Sequence, residues 1–157
     1  MMSNSIDAKY EASLARRPNS LARLLNLLKK DVDLRLIEKI QERGYINFKL
    51  GEMVLLVNID AQGTINNELA KKARISKQAM SKVVKSLEAA GYISTRKHDT
   101  DNRASIIFLT EKGKELMINA SDAVEEIHAR YTAMIGEEDM LQLKRIMAKL
   151  YNSLDEK

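Results

Sequence analysis

Only Arg74 and Ile75 separate two helix-forming segments, Asn66 or Asn67 to Ala73 and Ser76 to Ala90, and this short joint restricts the fold more than any other feature. Helices joined so tightly cross at a steep angle, which needs small side chains where they approach. The sequence therefore predicts Leu69 and Ala70 facing inward from the first helix and Ile75 plugging the turn. Ala79, Val83 and Leu87, with Val84 beside them, are the expected buried side of the second. Gly91 is placed to end that helix. Tyr92 to Arg96 and Ser105 to Leu109 are β-prone runs around the polar Lys97 to Arg103, the pattern of a hairpin with a loose tip.

Long helical patterns flank this centre. From Pro18, set in a first helical turn, Leu21, Leu24, Leu25, Leu28, Val32, Leu36, Ile37 and Ile40 recur at three- and four-residue spacing up to Gly44. That predicts a helix about 36 Å long at about 1.5 Å per residue. Lys49 to Asn58 reads as a short, mostly buried helix and Asp60 to Gly63 as a turn. Thr110 is an N-cap for a helix carrying Leu116, Ala120, Ala123, Ile127, Tyr131 and Met134 on one stripe as far as Gly136. Glu137, Glu138 and Asp139 favour the start of a last helix, whose apolar side is Leu143, Ile146, Met147, Leu150, Tyr151 and Leu154. Met1 to Arg17, polar and weakly patterned, reads as a frayed arm with one helical turn.

The expected fold is mainly α with a small β-hairpin wing: a winged helix-turn-helix plus long N- and C-terminal dimerisation helices. Its parts are a flexible arm at 1–17, dimerisation and support helices at 18–63, the winged DNA-binding region at 64–112 and C-terminal dimerisation helices at 113–157. Composition agrees, because aromatic residues are 4% of the chain and its apolar volume is chiefly Leu, Ile, Met and Ala. At 157 residues the chain is the size of one domain. Cysteine is absent, which excludes disulfides, thiolate metal sites and thiol switches. No stretch has the length of a membrane span or the form of a signal peptide, so the cytoplasm is the expected compartment.

Charge points to a partner. Residues 64–112 hold ten Lys and Arg against five Asp and Glu, whereas 113–157 is net acidic. A basic field confined to one substructure suits a polyanion. On the second helix of the pair lie Ser76, Lys77, Gln78, Ser81, Lys82 and Lys85, with no acid until Glu88. Gln pairs bidentately with adenine, Lys donates to guanine, and Ser serves either base edge. Gln78, Ser81 and Lys82 are thus candidates for the major groove of double-stranded DNA, with Lys85 on a phosphate and Ser76 capping the helix. On the hairpin, Arg96, Lys97 and Arg103 are candidates for the backbone and the minor groove, where arginine gains from a narrow, negative groove. Asp101, two residues before Arg103, is assigned to orienting its guanidinium.

The ordered set Leu69-Ala70, Ile75 to Leu87, Gly91-Tyr92-Ile93, Asp101-x-Arg103-Ala104, Leu109-Thr110 and Gly113 resembles the MarR family of bacterial transcriptional regulators. The likeness in layout runs over about Asn19 to Leu154. It implies a homodimer on a pseudopalindromic operator, usually repressing transcription, with Ser76 to Ala90 as recognition helix and Asp101 and Arg103 as the wing pair. The long helices are the physical candidates for the dimer joint, since Leu24, Leu28, Leu143, Met147 and Leu150 need another chain to cover them. The resemblance further implies a pocket for a small aromatic or anionic effector, with Arg16, Arg17, Arg23, Tyr45, Phe48 and Met53 as candidate walls. Phe48 and Met53 also suit ordinary core.

No cofactor, metal site or membrane partner is expected. The two histidines, His98 and His128, are thirty residues apart. No nucleophile, base and orienter set or glycine-rich phosphate loop occurs, so the chain is not expected to be an enzyme. The alternative is a winged-helix adaptor that binds protein rather than DNA; an adaptor would not need the acid-poor helix or the wing arginines.

Overall fold

The computed structural model describes residues 4–100 and 104–154, which fall into two compact units, Met1–Arg35 and Leu36–Lys157. In the first, helix α1 (Asn4–Arg16) occupies the segment expected to be a frayed arm. Its residues are mostly good helix formers, Asp7 lies in the first turn, and Ile6, Tyr10 and Leu14 fall on one line four residues apart. Propensity, rather than a strong apolar period, explains the helix. Arg17 closes it by laying its guanidinium over the Tyr10 ring, 5.5 Å from the centroid.

Helix α2 (Leu21–Glu42) begins later than expected. Ser20 Oγ accepts the Arg23 N–H at 3.4 Å, so Pro18 lies in the turn ahead of the helix and not in its first turn. Along the helix Arg35 grips Asp31 through Nε and Nη2, at 2.7 and 3.2 Å, and Lys29 pairs with Asp33. Leu21, Leu24, Leu25, Leu28 and Leu34 are all exposed.

The second unit takes the last turns of α2, then α3 (Leu50–Leu56), β1 (Thr64–Ile65), α4 (Asn66–Ala73), α5 (Lys77–Ala89), β2 (Ile93–Lys97), β3 (Ser105–Leu109), α6 (Glu111–Ile135) and α7 (Glu137–Asn152). One core joins them: Leu36 and Ile40 of α2, Met53, Leu55 and Leu56 of α3, Leu69 and Ala70 of α4, Met80 and Leu87 of α5, and the α6 stripe Leu116, Ala120, Ala123 and Ile127. The α6 stripe ends before expected. Tyr131 is half-buried and Met134 faces outward. Lys39 of α2 and Arg43 in the turn that follows both clamp Glu126 of α6, and these two cations, Lys39 first, hold the Glu126 carboxyl below its ordinary pKa.

The sheet has the order β1-β3-β2, with both neighbours antiparallel to β3. Strand β1, two residues long, is too short to leave a period in the sequence. It forms because the Asp60 to Gly63 turn, closed by Gly63 N–H to Asp60 O at 2.9 Å, delivers Thr64 opposite Ile107. The buried Thr64 hydroxyl accepts the Asp60 N–H and donates to the Asp60 carboxylate, which also receives Lys72. Gly63 is required at this turn: its φ is +87°, and a Cβ there would fall 2.5 Å from the Phe108 ring.

Candidate nucleic-acid interface

The helix pair is built as its short joint demands. Helix α4 ends on Arg74 in the left-handed region, φ 52°, and Ile75 N–H returns to Ala70 O at 3.2 Å. This reverses the chain within two residues. Ser76 then caps α5, its Oγ accepting the Ala79 N–H at 3.1 Å.

Met80, Val83, Val84 and Leu87 form the inner stripe of α5, at the spacing of one helix face. Ala79, expected to be buried, is exposed, and Met80 takes its place in the core. The three-residue step from Ser76 to Ala79 follows the cap, not the core. Met, long and unbranched, fills the space between α5 and its neighbours better than Ala would.

Opposite that stripe stand Gln78, Ser81, Lys82 and Lys85, all exposed and related by i, i+3, i+4 and i+7. Lys77 and Ser76 are exposed at the helix start. Among the described residues, Lys77, Lys82 and Lys85 have no carboxylate partner. Ser81 donates its hydroxyl hydrogen back to Lys77 O at 3.0 Å, which leaves the oxygen as an acceptor toward the outside. Glu88, the first acid after the cap, is drawn away, accepting Thr95 Oγ1 of β2 at 2.6 Å. The outward face therefore offers amide, hydroxyl oxygen and ammonium groups, while its one acid ties α5 to the hairpin.

On the hairpin, strands β2 and β3 pair from Ile93 opposite Leu109 to Lys97 opposite Ser105. Ile93 and Ile107 point inward; Ser94 and Arg96 share the other face with Ile106 and Phe108. Arg96 lies over the Phe108 ring, 4.4 Å from its centroid, so its guanidinium plane is fixed at the wing surface. Lys97 is exposed beside it. His98 Nδ1 accepts from Thr100 N at 3.3 Å. Asp101 and Arg103, the expected wing pair, lie outside the described residues.

Of the residues considered for an effector pocket, Phe48 and Met53 are core side chains, Phe48 packing edge-on against Tyr92 at 5.8 Å between ring centroids. Tyr45 is half-buried and receives Asn119 Nδ2 on its hydroxyl at 3.2 Å. Arg16, Arg17 and Arg23 belong to the N-terminal unit. Sequence reasoning missed Glu52, a buried carboxylate on α3 that accepts the Ser86 hydroxyl of α5. An acid at an apparent core position of a short helix was the only signal available.

Residues 48–105, from the start of α3 into the hairpin, match the sequence model of the MarR family. The chain is similar to the uncharacterized HTH-type transcriptional regulator YdgJ of Bacillus subtilis, 27% identical over 71% of this chain and 67% of that one. It is also similar to the HTH-type transcriptional repressor MdtR of the same organism, 24% identical over 80% of each. Among solved structures, the S. aureus MepR–DNA complex superposes with a TM-score of 0.69 over 85% of this chain and 98% of that one, at 19% identity, a likeness of fold. Residues 48–105 thus match the MarR family model, on a chain with the winged helix-turn-helix fold.

Proposed function

We propose that the chain is a transcriptional regulator that binds double-stranded DNA as a homodimer and represses from a pseudopalindromic operator. The observation that carries this reading is the outward stripe of α5: Gln78, Ser81, Lys82 and Lys85 are exposed and, among the described residues, without acidic partners, on a helix whose opposite side is locked into the core. Inserted in the major groove, Gln78 and Lys82 read base edges, Ser81 accepts from an exocyclic amine, and Lys85 rests on a phosphate with the α5 N-terminus at Ser76 and Lys77. The wing brings Arg96, Lys97 and Arg103 to the adjoining backbone and minor groove, Asp101 orienting Arg103.

The family match and the repressor among the relatives support regulation as the purpose of binding. Dimerisation is supported within each unit separately: Leu24 and Leu28 are exposed on α2, and Leu143, Met147 and Leu150 on α7. Two heads held rigidly meet half-sites about one helical turn apart. A duplex selected from a randomised library, titrated at several salt concentrations, tests the assignment. Lys82→Ala should lower affinity about tenfold or more and relax preference at one base pair; Lys85→Ala should weaken all duplexes alike and lower the salt slope by about one. If neither substitution altered duplex binding, the α5 face would not be the reading surface.

A further inference from the structure

Helix α5 and the wing meet at a joint whose base is fastened through the main chain. Gly91 N–H returns to Glu88 O at 3.0 Å and Tyr92 N–H to Leu87 O at 2.9 Å, while Thr110 Oγ1 donates to Gly91 O at 2.6 Å and Lys112 Nζ to Ala90 O at 2.7 Å. Farther along β2, the Thr95 hydroxyl donates to the Glu88 carboxylate at 2.6 Å. That length belongs to a charge-assisted bond. Thr95 shares the inner face of the sheet with Ile93, opposite Ile107, and is half-buried. Past it, Arg96 and Lys97 are exposed and pair with Ile106 and Ser105. Thr95 therefore stands where the wing leaves the body of the domain.

A carboxylate is costly at this place. Glu88 is exposed on the basic α5, where a negative charge opposes the approach of a polyanion. Lys85 lies three residues before it, a spacing at which ion pairs form on helices. Among the described residues, however, Glu88 has no cation partner, and its carboxylate is turned to Thr95 instead.

We infer that Glu88 is a positioning residue for DNA recognition: through Thr95 it fixes the angle between α5 and the wing, so that one duplex meets both as a single rigid surface. The inference rests on α5 and the wing being the parts that contact DNA. Two contacts held rigidly reinforce each other, because the second is made at the effective concentration set by the first and the wing needs no further ordering. With the bond removed, Arg96 and Lys97 keep their charge but lose their fixed place relative to Gln78 and Lys82. Affinity then falls only for duplexes long enough to reach the wing. A bond that merely stabilised the hairpin would lower the unfolding midpoint and leave this dependence on duplex length unchanged.

The test uses the full chain with two duplexes carrying the same selected half-sites, one ending at the half-sites and one extending past them by about a helical turn of A·T pairs. The parent should prefer the longer duplex. Thr95→Val keeps shape, β-branching and net charge; it should bind the longer duplex about fivefold more weakly and the shorter one unchanged, with a urea midpoint close to the parent's. Glu88→Gln retains an acceptor for Thr95 and should keep the preference for the longer duplex, tightening both through the lost negative charge. Glu88→Ala should lose that preference. In the free chain, amide hydrogen exchange in β2 and β3 should quicken in Thr95→Val by about the same factor. A preference for the longer duplex that survives in both Thr95→Val and Glu88→Ala, while Lys82→Ala still weakens both duplexes, overturns the role of Glu88 and leaves α5 as the reading helix. Duplex binding indifferent to Lys82→Ala removes the DNA reading, and the role of Glu88 falls with it.

Discussion

At the scale of single residues, the winged head depends on positions where one atom too many cannot be accommodated. A Cβ on Gly113 would lie 2.0 Å from the Tyr92 carbonyl oxygen and 3.3 Å from Leu109 Cδ2. The contact is with backbone, so no rotamer change relieves it, and it falls where Thr110 binds Gly91 O at 2.6 Å and the Gly113 N–H at 3.1 Å. Gly113→Ala should therefore destabilise the fold by about 2 kcal/mol or more, read as a lower urea midpoint. A variant as stable as the parent would mean that α6 can move away from Tyr92 without loss. The sequence marked Gly113 as part of a motif; only the approach of Tyr92 supplies the reason.

At the scale of elements, α5 must present an outward stripe without moving, and its start is fixed by one hydroxyl. Ser76→Ala removes the acceptor for the Ala79 N–H and should reduce stability by about 1 kcal/mol in denaturant titration. Duplex affinity should fall alongside, because the same turn carries Lys77 and Gln78. Equal stability with intact affinity would show that the first turn is held by its flanks alone. The bounds of α4 and α5 were legible because the two-residue joint, the Ser76 cap and Gly91 leave local signatures. Which side of α5 faced inward was legible except at Ala79 and Met80, adjacent positions on which the apolar pattern is ambiguous until neighbouring helices define the space. Strand β1 was not legible, since its two residues pair only through Ile106 and Ile107 of a strand forty residues away.

At the scale of the whole molecule, α7 has one buried residue among those described, Met140, while Leu143, Ile146, Met147, Leu150 and Tyr151 are at least 40% exposed. An apolar helix face of this extent is a poor solvent surface and a good interface. Met147→Glu, placing a charge in the middle of it, should shift sedimentation at micromolar concentration from dimer toward monomer and reduce operator affinity without altering the α5 face. A parent chain that sedimented only as monomer would remove the dimer from the proposal. None of the described helices is long and apolar enough to cross a membrane.

The sequence alone determined the order of elements, the helix-turn-helix joint and the cationic, acid-poor face of α5, because periodicity, caps and charge are written in near neighbours along the chain. The helical state of Asn4–Arg16 was within reach of propensity but hidden by its weak pattern. Tertiary structure decided that Met80 is inside, that Glu88 turns to the hairpin, and that Glu52, Ser86 and two tyrosines from four separate segments enclose one cavity. Those facts depend on which distant side chains meet, and no local period along the chain records such a meeting.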